Sequence, residues 1–206
     1  MYRFPVTALR GLSSTIFTFK NGAGFSVVEL LVVISLMGII TGAYLWNAGS
    51  FRQGVAITRA GQAMAFALRD AESRAMSVHA DSYVNPQTFP SGYGIFFENS
   101  QPQRYILFFD GGASPNGLYD SPTEHITTYT LPNYLRIKEL QIDPAGSPSP
   151  ISNSLTVVYR RPLPTTEVRV NGTLSPATNF GIVLESENGN YKKTIQAWIT
   201  GQIAVQ

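Results

Sequence analysis

The chain has 206 residues, 44% of them hydrophobic, with mean hydropathy +0.01, 14% charged side chains and a formal charge of +2. That size and balance suit one anchored chain with one globular domain and exclude a large multidomain enzyme; the small net charge gives no general pull on nucleic acid. Cysteine is absent, which removes disulfide staples and thiol nucleophiles together.

In chain order, Met1 to Gly24 carries Arg3, Arg10 and Lys20 and no acid, the positive flank that keeps an N-terminus cytoplasmic. A secretory signal peptide is one alternative, but no clear A-x-A site follows and Glu29 interrupts the join of basic and apolar regions; an uncleaved signal anchor is another. Phe25 to Trp46 is an apolar run that, as a helix, reaches ~33 Å and crosses a bilayer core. Glu29 is its one charged side chain. A carboxylate so placed costs on the order of 2 to 3 kcal/mol, which argues for a partner; snorkelling to the interface is the plainer alternative. Gly38 and Gly42 form a G-x-x-x-G that allows close helix approach.

Gly24, then Phe25, then Glu29 four residues later at the head of a long apolar helix, resembles the processing site of type IV prepilins and pseudopilins. The resemblance implies cleavage after Gly24 by a prepilin peptidase, N-methylation of Phe25 and a registering role for Glu29 among subunits. It further implies other pilins or pseudopilins and an assembly platform protein as partners. The localisation that follows is single-pass in the inner membrane, N-terminus cytoplasmic, before passage into a pilus or a type II secretion pseudopilus. Processing would remove three of the 15 basic residues and leave 12 against 13 acids, a net charge of −1. The expected fold is α+β: leader 1–24, membrane helix 25–46, amphipathic continuation 47–82 and a β-rich domain 83–206, together the pilin fold. Many type IV pilins close a C-terminal loop with a disulfide, so this chain needs another clamp.

No proline lies between Phe25 and Tyr83, and the outer half of the predicted helix is one-sided. Ala60, Met64, Ala67, Leu68, Ala71, Ala75 and Val78 recur at steps of three and four, with Arg59, Gln62, Arg69, Asp70, Ser73, Arg74 and Ser77 largely opposite. Asp70 and Arg74 are spaced to pair across a turn. That stripe requires a sheet to cover it.

Beyond Val78 short β-rich runs alternate with turn residues, and strands are expected over 94–98, 104–109, 126–131, 134–142, 154–160, 167–170, 180–185, 192–199 and 202–205. Two hairpins stand out: FGIVLE to YKKTIQAWI across Asn188-Gly189-Asn190, and Tyr93–Phe97 to Tyr105–Phe109, whose aromatic residues suit an alanine-rich helix face. The helix-then-sheet order resembles the minor pseudopilin H and related minor pilins more than major pilins.

Chemistry-bearing motifs are few. His79 and His125 begin no zinc spacing, and the sequence holds no G-x-S-x-G elbow, Walker A or G-x-G-x-x-G loop, so an enzyme is not expected. Asp110, Asp120 and Glu124 bracket a Gly/Asn-rich loop that could hold calcium in place of the disulfide. An EF-hand alignment fails, since it puts Gly112 and Thr123 at the first and last ligand positions; an ordinary turn is the alternative. Arg160-Arg161 and Lys192-Lys193 could converge on DNA phosphates or simply be solvated strand ends. Against the filament subunit stands a second class of function, a membrane-anchored surface protein whose β domain captures a ligand such as DNA.

Overall fold

The computed structural model describes residues 25–77, 90–111, 115–120, 122–144, 146–160 and 165–206. Gly24, Val78, His79 and Arg161 lie outside these residues, as do the leader and the 82/83 boundary. The chain forms two compact units, Met1–Trp46 and Asn47–Gln206.

Helix α1 runs Val27–Met76 without interruption. In the first unit Val27–Leu45 is long and apolar enough to cross a membrane, with a mean hydropathy of 2.1 and none of it buried. In the second unit the same helix turns one-sided. Ile57, Ala60, Met64, Ala67, Leu68, Ala71 and Ala75 are all buried, so the expected stripe is realised at each described position. Asp70 and Arg74 pair at 2.9 Å on the polar side.

Among the described residues of the second unit there are also eleven strands: β1 Gly92–Glu98, β2 Arg104–Asp110, β3 His125–Thr130, β4 Leu135–Ile142, β5 Ser149–Ile151, β6 Ser154–Arg160, β7 Thr165–Val170, β8 Thr173–Leu174, β9 Asn179–Ser186, β10 Lys192–Trp198 and β11 Ile203–Val205. They form two antiparallel sheets, ordered β3-β2-β1-β6-β7-β8 and β11-β10-β9-β4-β5. The division into two sheets and the short strands β5 and β8 are absent from the sequence-based expectation. Pro150 confines β5 to an edge, where a missing N–H is tolerated. The β7–β8 hairpin turns on Asn171 (φ 52°) and Gly172 (φ 83°), the pair that a two-residue turn with positive φ at both positions favours.

Both expected hairpins are present, with Tyr93 opposite Phe109 and Ile95 opposite Leu107 in one, and Ile195 opposite Ile182 in the other. Alternation divides the aromatic residues between faces. Tyr93, Ile95, Phe97, Tyr105, Leu107 and Phe109 join the helix stripe in the main core. Ile106, Phe108 and Val158 form a smaller cluster with Phe96 and Tyr119. Gly94 is required by that second layer: a Cβ there would stand 2.8 Å from the Phe108 ring and 2.5 Å from the Val157 carbonyl oxygen.

Candidate functional site

Phe25 and Ser26 precede the first helical residue, and Leu30 N–H donates to the Ser26 carbonyl at 3.0 Å, closing the first turn of α1. Glu29 is therefore the third helical residue and is exposed, as is Phe25. Ser26 and Glu29 have the S-x-x-E spacing of a capping box, and an acid in a first turn is favoured by the helix dipole. That spacing is a local signal, and it places Glu29 where a capping-box acid stands.

The second cluster lies where β2, β6 and β7 meet the loop that follows Asp110. Asp110 is fully buried, and its oxygens face donors. One accepts from Asn116 N–H at 3.1 Å. The other accepts from Gly117 N–H and the Ser91 hydroxyl, each at 3.1 Å, and from Arg160 Nη1 at 2.9 Å. Arg160 Nε donates to Glu167 at 2.6 Å, and Arg169 donates to the second Glu167 oxygen at 3.3 Å. Burial pushes the Glu167 carboxyl up, but the hydrogen bond and charge of Arg160, helped by Arg169, outweigh it and hold the group below the usual carboxylate range. The Glu167 hydrogen bond in turn holds the Arg160 guanidinium in its charged form. Gly117 has φ 73°, and a Cβ there would meet Arg169 Nε at 2.6 Å and Arg160 Nη2 at 2.9 Å, so the loop backbone approaches the two guanidinia too closely for any side chain.

This donor set corrects the calcium expectation. Glu124 spends its oxygens on the backbone N–H groups of Gly111 (3.1 Å) and Asp120 (3.0 Å), and Asp120 accepts from the Asn116 amide at 2.9 Å. Burial raises the Glu124 pKa; its two backbone hydrogen bonds pull the other way and the charges of Asp110 and Asp120 add to the rise. The three acids are spread along a loop that they pin, and the cation at Asp110 is Arg160. Among the described residues no group of three His, Cys, Asp or Glu side chains could hold a metal ion. The residues do not fit calcium, because its oxygen ligands would have to be stripped from N–H donors that the ion cannot replace. The loop is held at its start by the buried ion pair of Asp110 and Arg160.

Of the two cationic doublets, Arg160, Lys192 and Lys193 fall among the described residues, and Arg160 lies in a different sheet from the two lysines. Arg160 lies in the first sheet and is committed to Asp110 and Glu167. Lys192 lies in the second sheet and pairs with Glu185 at 3.3 Å; Lys193 follows it on β10. Glu185, buried, also receives Arg136 at 2.8 Å, and that hydrogen bond, with Lys192 and the charge of Lys138, holds its carboxyl low. These pairings join residues 49 and 50 positions apart, a distance at which no local pattern announces them.

No known protein-family model, no curated protein and no solved structure matches this chain.

Proposed function

We propose that the chain is a type IV pilin-like or pseudopilin subunit of the minor kind. On this reading a prepilin peptidase processes it after Gly24, it resides in the inner membrane with its N-terminus cytoplasmic, and an assembly platform protein draws it into a pilus or a type II secretion pseudopilus beside other pilins. The observation that carries the reading is the division of α1. Its first 19 residues are apolar and wholly exposed, with Glu29 in the first turn, while the rest supplies a buried stripe to a two-sheet core. A helix whose apolar half is uncovered among the described residues is suited to lipid or other subunits as its surroundings, and a filament core provides the second after the first. The Gly24-Phe25 junction supports the same reading, because it lies immediately before the helix begins and would release an amine next to its first turn.

Mass spectrometry of the membrane-extracted protein tests it. The expected N-terminus is Phe25 bearing one methyl group, and Gly24→Leu is expected to remain uncut. An intact Met1 in cells with active prepilin peptidase would overturn the proposal.

A further inference from the structure

In the second unit a groove of about 590 Å³ opens between α1 and the strands β2 and β3. That volume falls in the range that takes a small ligand or part of a lipid, roughly 300 to 1,000 Å³. Its far wall is tyrosine. Tyr105 and Tyr129 stack with ring centroids 5.0 Å apart, and Tyr134, 41% exposed, extends the wall toward solvent. The helix side is shaped by Ala60 and Ala63, whose small side chains leave the space open. Arg52 and Arg59, two turns apart and so on one helix face, are the groove's charged groups, and no carboxylate lines it. Both guanidinium side chains are exposed, and among the described residues neither forms an ion pair. Arg69, Arg104 and Lys193 are likewise without an ion pair among the described residues, but Arg52 and Arg59 stand together on one apolar groove. Phe51, 72% exposed, stands at the rim.

We propose that this groove seats an anionic phospholipid of the membrane that anchors the chain, its phosphate held by Arg52 and Arg59 and an apolar segment lying along the tyrosines. Charge complementarity selects an anion, and the apolar wall selects one with a hydrocarbon body, which excludes free phosphate as a sufficient occupant. Chain length selects the membrane as its source. Arg52 follows Leu45, the last residue of the span, by seven positions, so whatever path the chain takes the two are within about 25 Å. An aromatic rim residue with arginines beside it is the composition of surfaces that engage lipid headgroups. The inference rests on the anchored reading of Val27–Leu45.

The test uses the full chain in nanodiscs of phosphatidylcholine containing a minority of phosphatidylglycerol, with native mass spectrometry of the ejected protein reading which lipid stays bound. The parent is expected to retain phosphatidylglycerol in excess over its share of the disc. The Arg52→Gln, Arg59→Gln double variant is expected to lower that preference roughly 30-fold, from about a fivefold contribution per arginine near an anionic surface. Ala63→Trp keeps both guanidinia, fills the groove from an exposed position and is expected to abolish retention. Retention in proportion to disc composition overturns the proposal. So does unchanged preference in Ala63→Trp, which would assign the effect to surface charge outside the groove, or retention of a second copy of the chain in place of lipid. Failure of the parent to enter discs would instead overturn the anchoring reading and the proposal with it.

Discussion

Between Val27 and Leu45 helix α1 is apolar on every side and exposed on every side; between Ile57 and Ala75 seven buried side chains on one face alternate with exposed Arg59, Gln62 and Arg69 on the other. One continuous helix thus follows two rules. In the second stretch the buried apolar positions are fixed by the sheets that cover them, and most of the exposed positions are polar, with Phe66 and Ala63 the apolar exceptions. In the first stretch the described side chains are exposed on every face, which is what a helix shows when its surroundings are uniformly apolar. The two stretches should therefore respond oppositely to the same substitution, and that is the sharpest way to break the comparison.

Leu68→Asp carries the largest expected effect. Leu68 is fully buried, so the variant loses the side chain's burial and introduces an unpaired charge, costing about 4 to 5 kcal/mol, enough to unfold the second unit. Thermal denaturation of the full chain in neutral detergent reads it; an unchanged Tm would show that the helix face is wrongly placed. Leu36→Asp, in the exposed stretch, is expected to leave that Tm unchanged and to weaken membrane insertion by about 2.5 kcal/mol, read as the fraction recovered in the membrane. A fall in Tm there would mean that the two stretches are not separate in kind.

Arg160→Met comes between those two in its effect on folding. It leaves Asp110 buried and unpaired and is expected to cost about 3 kcal/mol, with the loop after β2 the first segment to gain hydrogen exchange. A Tm within error of the parent would show that the pair contributes nothing. Periodicity makes the helix stripe and both hairpins readable in the sequence, because three- and four-residue steps, β-rich runs and turn residues such as Asn188-Gly189 are local. The clamp is not readable there. Asp110, Asp120 and Glu124 look like ligands when counted along a loop; the donors that satisfy them come from the loop's own backbone, the Asn116 amide, the Ser91 hydroxyl and an arginine 50 positions away, across strands whose neighbours only the sheet order reveals. The separation into two sheets is hidden for the same reason, since strand spacing says where strands are and nothing about which of them pair.

Glu167→Gln sharpens the clamp's electrostatics with a smaller effect, about 1 to 2 kcal/mol at neutral pH. Because the folded Glu167 pKa is lowered, its contribution is present above the unfolded value of about 4.3 and is lost as pH falls through the lower folded value. The gap between variant and parent should therefore close on acidification from pH 4 downward. Glu124 bends the parent's profile the other way: its folded pKa is raised, so ionising it as pH climbs above about 4.3 costs stability. Melting curves from pH 3 to pH 7 check both signs, and a gap for Glu167→Gln that stays constant with pH would remove the ion pair as its cause.

The smallest change in free energy tests Glu29, where two roles compete. As the third helical residue after Ser26 it has the position of a capping-box acid, worth a few tenths to about 1 kcal/mol to the helix start. As the one charged group of an apolar span it can instead meet the amine that cleavage would free at Phe25 of a neighbouring subunit and so set the axial offset between subunits. Glutamine separates the roles, because it can still reach back to the Ser26 N–H but carries no charge. If capping is the function, Glu29→Gln behaves as the parent and only Glu29→Val is impaired. If the charge registers subunits, both variants insert and are processed normally, yet both are depleted from sheared filaments at equal membrane levels. Depletion of both is the expected result, and equal recovery of Glu29→Val and the parent would remove Glu29 from assembly altogether.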